Sequence, residues 1–138
     1  MIASAGYALV YTGVGIILLV LGFVLLDALT PGHLGRQIFT DRSLNAAIVL
    51  GAGFLSLGLV VFAAIWTNAT NGFGTNLEAT LLFGALGVVM QAVAVVLLDV
   101  LTPGSLREII VSDRFHPAAV VSASAQLAIS FIVVAAIW

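Results

Sequence analysis

The chain has 138 residues, 62% of them hydrophobic, and its four Arg and six Asp or Glu leave a net charge of −2. A soluble domain is roughly 25% charged; at 7% this chain cannot furnish a water-facing exterior and belongs to the membrane class. The absence of Cys excludes disulfide frameworks and cysteine-ligated metal or redox sites, and the acidic balance gives no nucleic-acid footprint.

The amino-terminal run MIASAGYALVYTG lacks the basic segment of a secretory signal, so no cleaved leader is expected. Four apolar runs follow, at about Ala5–Leu29, Asn45–Trp66, Asn76–Leu101 and Pro117–Trp138. Each is long enough for a hydrocarbon core that takes roughly 20 helical residues to cross. Their Val and Ile would favour strands in water. In lipid, however, every backbone N–H and C=O needs a partner within its own segment, which selects helices. The fold expected is an all-α integral membrane protein with four transmembrane helices.

Between the first and second runs stands Val24–Ala47, VLLDALTPGHLGRQIFTDRSLNAA, and between the third and fourth stands Val96–Ala119, VLLDVLTPGSLREIIVSDRFHPAA. The two align without gaps at an offset of 72, and 18 of the 40 positions in Asp27–Trp66 are identical to their counterparts in Asp99–Trp138. Residues 1–66 are read as one two-span unit, 67–76 as an outer loop and 77–138 as a second unit. An even number of spans per unit makes the repeat parallel, two hairpins related by a pseudo-two-fold axis along the membrane normal. All four Arg fall in these two connections. The positive-inside rule then places them in the cytoplasm and both termini outside, in a bacterial inner membrane. Tyr7, Tyr11, Trp66 and Trp138 fall at the opposite ends, where amphipathic rings favour the headgroup layer.

Within each connection a hinge is expected at Thr30, Pro31 and Gly32 and at Thr102, Pro103 and Gly104. Pro steers the preceding residue out of the α region, ending span one near Leu29. Thr30 can then cap, with Pro31 in the first position of a short interfacial helix. Such a helix would lay Leu34, Ile38 and Phe39, or Leu106, Ile109 and Ile110, into lipid. Asp27 and Asp99 occupy the last turn of their spans, the end that disfavours an anion, and therefore call for partners. The reading adopted is an Asp–Arg clamp, Asp27 with Arg42 and Asp99 with Arg114, or crossed between units. The other reading is a cytoplasm-facing cation or proton site made of the two carboxylates. Asp41 and Asp113 precede spans, where an anion is favourable. His33 and His116 are read as solvated loop residues. Thr75 and Glu78 form a capping-box pattern opening span three.

Gln91 and Gln126 each lie about ten residues, roughly 15 Å, from the cytoplasmic ends of their spans and should meet near the bilayer centre. With Ser122 and Ser130 at spacings of four, Gln126 makes a polar stripe on span four. It serves either as interhelical glue or as the lining of an oligomer interface or narrow polar path. Gly13, Gly15, Gly22, Gly84 and Gly87, Ala47 with Gly51, and Ala119 with Ala123 offer thin faces for close packing.

The duplicated LLD-x-LTPG-x-L-x-x-x-I followed by Asp-Arg resembles a family of small bacterial inner-membrane proteins, domain-of-unknown-function family 350. The resemblance covers essentially the whole chain. It implies four spans in two tandem units, integral membrane location and no established enzyme activity. The DRSLN and DRFHP stretches depart from the family's Asn-rich loop, and no catalytic residue is carried over. No nucleophile–base pair, metal set, cofactor motif or phosphate loop is present in the sequence. The function expected is a structural or accessory membrane module. It would bind membrane lipid, anionic at the cytoplasmic face, and assemble as a homo-oligomer or with a membrane-protein partner. The alternative is an oligomeric ion or small-solute conduit.

Overall fold

The chain's structure, a computed structural model, describes residues 2–29, 33–70, 72–101, 103–104 and 106–138, without the side chains of Leu106 and Arg107. Its elements are α1 (Ile2–Leu29), α2 (Leu34–Phe39), α3 (Leu44–Thr67), α4 (Phe73–Leu101), α5 (Leu106–Val111) and α6 (Pro117–Ile137). The described residues hold helices and no strand, and α1, α3, α4 and α6 are long and apolar enough to cross a membrane. The short helices α2 and α5 lie 72 residues apart, the offset of the sequence repeat.

Helix starts follow local chemistry. Ser43 caps α3, its hydroxyl accepting from the Ala46 N–H at 3.3 Å. Pro117 opens α6, and the ring Nδ1 of His116 accepts from the Ala118 N–H at 3.1 Å. The expected capping box does not open α4. That helix begins at Phe73, before Thr75, because Gly72 takes a left-handed turn (φ +85°) and Phe73 is anchored to α1. The Phe73 ring stacks on Tyr7 with centroids 4.4 Å apart and meets Tyr11 edge-on at 5.6 Å. The Tyr11 hydroxyl donates to the Phe73 carbonyl at 3.2 Å. Thr75 and Glu78 therefore lie inside the helix, both exposed.

Among the long helices α3 is the most buried and α1 the least. α3 packs against α1, α4 and α6, and α4 packs against α1, α3 and α6, so α1 and α6 flank a central α3–α4 pair. A two-fold axis relating the halves would exchange α1 with α4 and α3 with α6. It would then need an α1–α6 contact to match α3–α4. The packing departs from that expectation. In a head-to-tail relation, different faces of equivalent elements meet, and α3 and α6 show this. Asn45, Val49, Ala52 and Ser56 of α3 are buried, whereas their counterparts Pro117, Val121, Ser124 and Ala128 of α6 are exposed.

Glycines set the helix separations. A Cβ at Gly22 would lie 2.2 Å from Leu57 Cδ1, one at Gly84 2.3 Å from Leu18 Cδ1, and one at Gly87 2.9 Å from Val60 Cγ1. Gly13 and Gly51 face open space, so not every thin face is used. At the Arg-bearing end, Leu26, Ala46, Val49, Leu50, Val95 and Ala119 form a core that Leu34 of α2 and Ile110 of α5 complete.

Candidate functional site

The charged end of the bundle is built by the turns around α2 and α5. The expected α2 was a longer helix with Pro31 at its first position and an apolar face in lipid. The observed helix starts at Leu34 after His33. Its apolar side faces the bundle: Leu34 is buried and Ile38 packs against the core, while Phe39, one residue further round, is 86% exposed. In α5, Ile110 is likewise buried. The reason is geometric. Spacings of four share a helix face and a spacing of five does not, and the face carrying Leu34 and Ile38 meets the ends of α1 and α3. Of the expected hinge residues, Thr30, Pro31, Gly32 and Thr102 lie outside the described residues. Pro103 and Gly104 form a bend, with Gly104 at φ +92°.

Asp27 finds a partner, but not Arg42. Its Oδ1 accepts the backbone N–H of Leu34, and its Oδ2 lies 3.4 Å from His33 Nδ1. One carboxylate thus sits at the carboxyl end of α1 and the amino end of α2, and the second location offsets the first, since exposed backbone N–H groups there favour an anion. For Asp27 the clamp reading is corrected accordingly. Arg42 is exposed, with its backbone in the left-handed region (φ 53°), and no ion pair of the described residues joins it to Asp27 or Arg114 to Asp99. His33 and His116 are exposed, as expected for loop residues, yet each has work: one contacts Asp27 and the other caps α6.

The residue that sequence reasoning missed is Asn45. Its side chain is wholly buried at the start of α3, against the turn joining α5 to α6. Nδ2 donates to the carbonyls of Ile109 at 2.9 Å, Arg114 at 2.8 Å and Ser112 at 3.4 Å, and Oδ1 accepts from the His116 N–H at 3.0 Å. Ser43 adds a hydroxyl bond to the Ile110 carbonyl at 2.9 Å. These bonds serve backbone groups at the end of α5 and in the turn that follows it. One half of the chain thereby grips the other. The signal was available: an amide in the first turn of an apolar span is costly unless held.

Deeper in the bundle, Gln91 and Gln126 are both buried, but they do not hydrogen-bond to one another. Gln91 Oε1 and both amide atoms of Gln126 make no hydrogen bond to the protein. Ser122 and Ser130 are buried on the same side of α6 as Gln126. No group of three His, Cys, Asp or Glu able to hold a metal occurs among the described residues.

Three comparisons bear on this geometry. The profile of the family described as Domain of Unknown Function (DUF350) matches residues 1–137. The chain is 34% identical to a "UPF0719 transmembrane protein" of Mycolicibacterium paratuberculosis over 94% of this chain and 85% of that one. It is 36% identical to another protein of that designation in Mycobacterium bovis, over 92% of this chain and 83% of that one. No solved structure matches.

Proposed function

Since the chain belongs to the DUF350 family, whose profile spans nearly all of it and whose relatives are named transmembrane proteins of unknown function, we propose that it is a structural or accessory module of the bacterial plasma membrane. In this reading it assembles with copies of itself or with a partner membrane protein. Its Arg-bearing end faces the cytoplasm and anionic lipid, and both termini lie outside.

The observation that carries this reading is the division of labour at the charged end. Of the chain's ten charged residues, only Glu78 lies outside residues 27–42 and 99–114. There Ser43, Asn45 and Asp27 are engaged in holding backbone together. Arg36, Arg42 and Arg114 point outward with Phe39 and Phe115. A braced end that displays guanidinium groups beside exposed aromatic rings suits an anionic headgroup layer, where each Arg contributes about 1 kcal/mol of attraction. A second reading, an oligomeric ion or small-solute conduit with Asp27 and Asp99 facing the cytoplasm, draws on the buried polar line of Ser122, Gln126 and Ser130. It is the weaker one, because the Asp27 carboxylate is engaged by α2.

The test is native mass spectrometry of the full chain released from its own membranes in lipid nanodiscs. Retained anionic lipid together with a second copy or a membrane partner is expected, with lipid retention falling when Arg36, Arg42 and Arg114 are all changed to Gln. Cation flux in liposomes that Asp27→Asn and Asp99→Asn abolish while assembly stays normal would overturn the module reading in favour of the conduit. A reporter fusion placing the carboxyl terminus in the cytoplasm would overturn the threading.

A further inference from the structure

Hydroxyls in this bundle have a default partner. Thr67 donates to the Ala63 carbonyl, Thr80 to Asn76 and Ser124 to Val120, each at 2.8 Å, and Ser130 donates to Leu127 at 2.7 Å. Each bond lies within one helix and costs nothing in packing. Ser56 and Ser122 depart from the default. Both are buried, and neither hydroxyl bonds to any protein group. Gln126, buried without exposure, has both amide atoms unpartnered, and the Gln91 carbonyl oxygen joins them.

The helix registers string these groups along about two turns of one interface, with Gln126 between Ser122 and Ser56. Gln126 lies one turn beyond Ser122 on α6. Its Oε1 stands 3.1 Å from where a Cβ would be at Gly53 of α3, and Ser56 is the next residue along that face of α3. On the other side, Gly87 of α4 meets Val60 of α3. The two helices run antiparallel, so Gln91, one turn beyond Gly87, lies opposite Ser56, one turn before Val60. With no Cβ at Gly53, the Gln126 amide packs close to the α3 backbone, beside Leu26.

We propose that the core between α3, α4 and α6 binds internal water, held by Ser56, Gln91, Ser122 and Gln126. The chemistry of the set selects the ligand. The Gln126 amide offers two N–H donors and a carbonyl, Gln91 a carbonyl, and the hydroxyls either sense. A cation would leave the Gln126 N–H groups unanswered and would find no carboxylate to offset its charge. An anion would face the two carbonyl oxygens. Water both donates and accepts, and a buried water needs two to four polar partners, which this set supplies. The glutamines then join the helices through an intervening molecule instead of directly, and the interface between the halves is wet at its centre. This inference is independent of the proposed role at the charged end.

The test uses the full chain, ¹⁵N-labelled at its three glutamines, in lipid bilayers, with magnetisation transferred from water to protein by solid-state NMR. The Gln126 side-chain amide, identified by loss of its signal in Gln126→Leu, is expected to gain water magnetisation roughly threefold faster than its own backbone N–H, which is held inside α6. Equal rates would overturn the proposal. The double variant Ser56→Ala, Ser122→Ala is expected to slow the side-chain transfer and lower Tm by several degrees. A dry core, relieved of two unpartnered hydroxyls, would instead keep or raise its Tm, and that result would also overturn it. Should the double variant not fold, the transfer rates in the unmodified chain still decide.

Discussion

Replacing Asn45 by Ala is expected to lower the stability of the bundle by about 2–3 kcal/mol. The substitution removes three well-formed hydrogen bonds, to the Ile109 and Arg114 carbonyls at 2.9 and 2.8 Å and from the His116 N–H at 3.0 Å; the 3.4 Å contact to Ser112 adds little. At about 1 kcal/mol each the loss would be about 3 kcal/mol. Arg114 and His116 are exposed, so water can reach part of the freed backbone and return some of it. Asn45→Asp is a sharper probe. It keeps the shape and the acceptor for His116, but sets carboxylate oxygens against the carbonyls that Nδ2 now serves. It should therefore destabilise more than Ala does. Ser43→Ala should cost about 1 kcal/mol. The double Ser43, Asn45 variant should cost less than the sum, because both residues hold the same turn. Denaturant titration in mixed micelles measures all four. Asn45→Ala within about 0.5 kcal/mol of the native chain, or Asn45→Asp as stable as the native chain, would refute the assignment of this side chain as the brace between the halves.

Other substitutions separate the interactions further. Asp27→Ala should cost about 1–2 kcal/mol as the loss of a helix-capping acceptor, while Arg42→Gln should leave stability unchanged. A matched loss in the two, by the same titration, would restore the clamp. Gly87→Ala should destabilise by about 1–3 kcal/mol, since the new methyl meets Val60, a β-branched side chain with little freedom to turn away. Gly58→Ala, with nothing within 4 Å of its Cβ, should be neutral or stabilise by up to about 1 kcal/mol. Equal thermal shifts in those two would contradict the helix separations described. Tyr11→Phe should cost about 0.5–1.5 kcal/mol through its bond to the Phe73 carbonyl, read from the same melts.

The four long helices were legible because unbroken hydropathy over such lengths has one outcome in lipid. Their ends came within a few residues, with α1 and α4 beginning three earlier than read. The short helices were legible from Pro and the spacing of Leu34 and Ile38. The direction of that apolar face was not, because hydrocarbon and protein core attract Leu equally. Asp27 was rightly read as needing a partner. The partner was backbone, which carries no letter in a sequence, and so a charged side chain was nominated in its place. Asn45 was passed over: its counterpart is Pro117, so the repeat does not mark the position. The buried stripe on α6 was legible from its spacing, but which atoms would go unpaired depends on helix rotation that periodicity does not fix.

The unequal pairing of Asn45 and Pro117 bears on how such a duplicated chain can evolve. Two identical units meeting head to tail would each present the gripping amide, one of them idle at the edge of the bundle where lipid offers it nothing. In this chain that position is Pro117, which suits the first turn of α6 and demands no partner there. Exchanging the order of the units would put Pro where the grip is needed and strand the amide outside, and a chain reduced to its second unit would have no grip at all. The grip of Asn45 on the α5–α6 turn therefore works only with the units in this order.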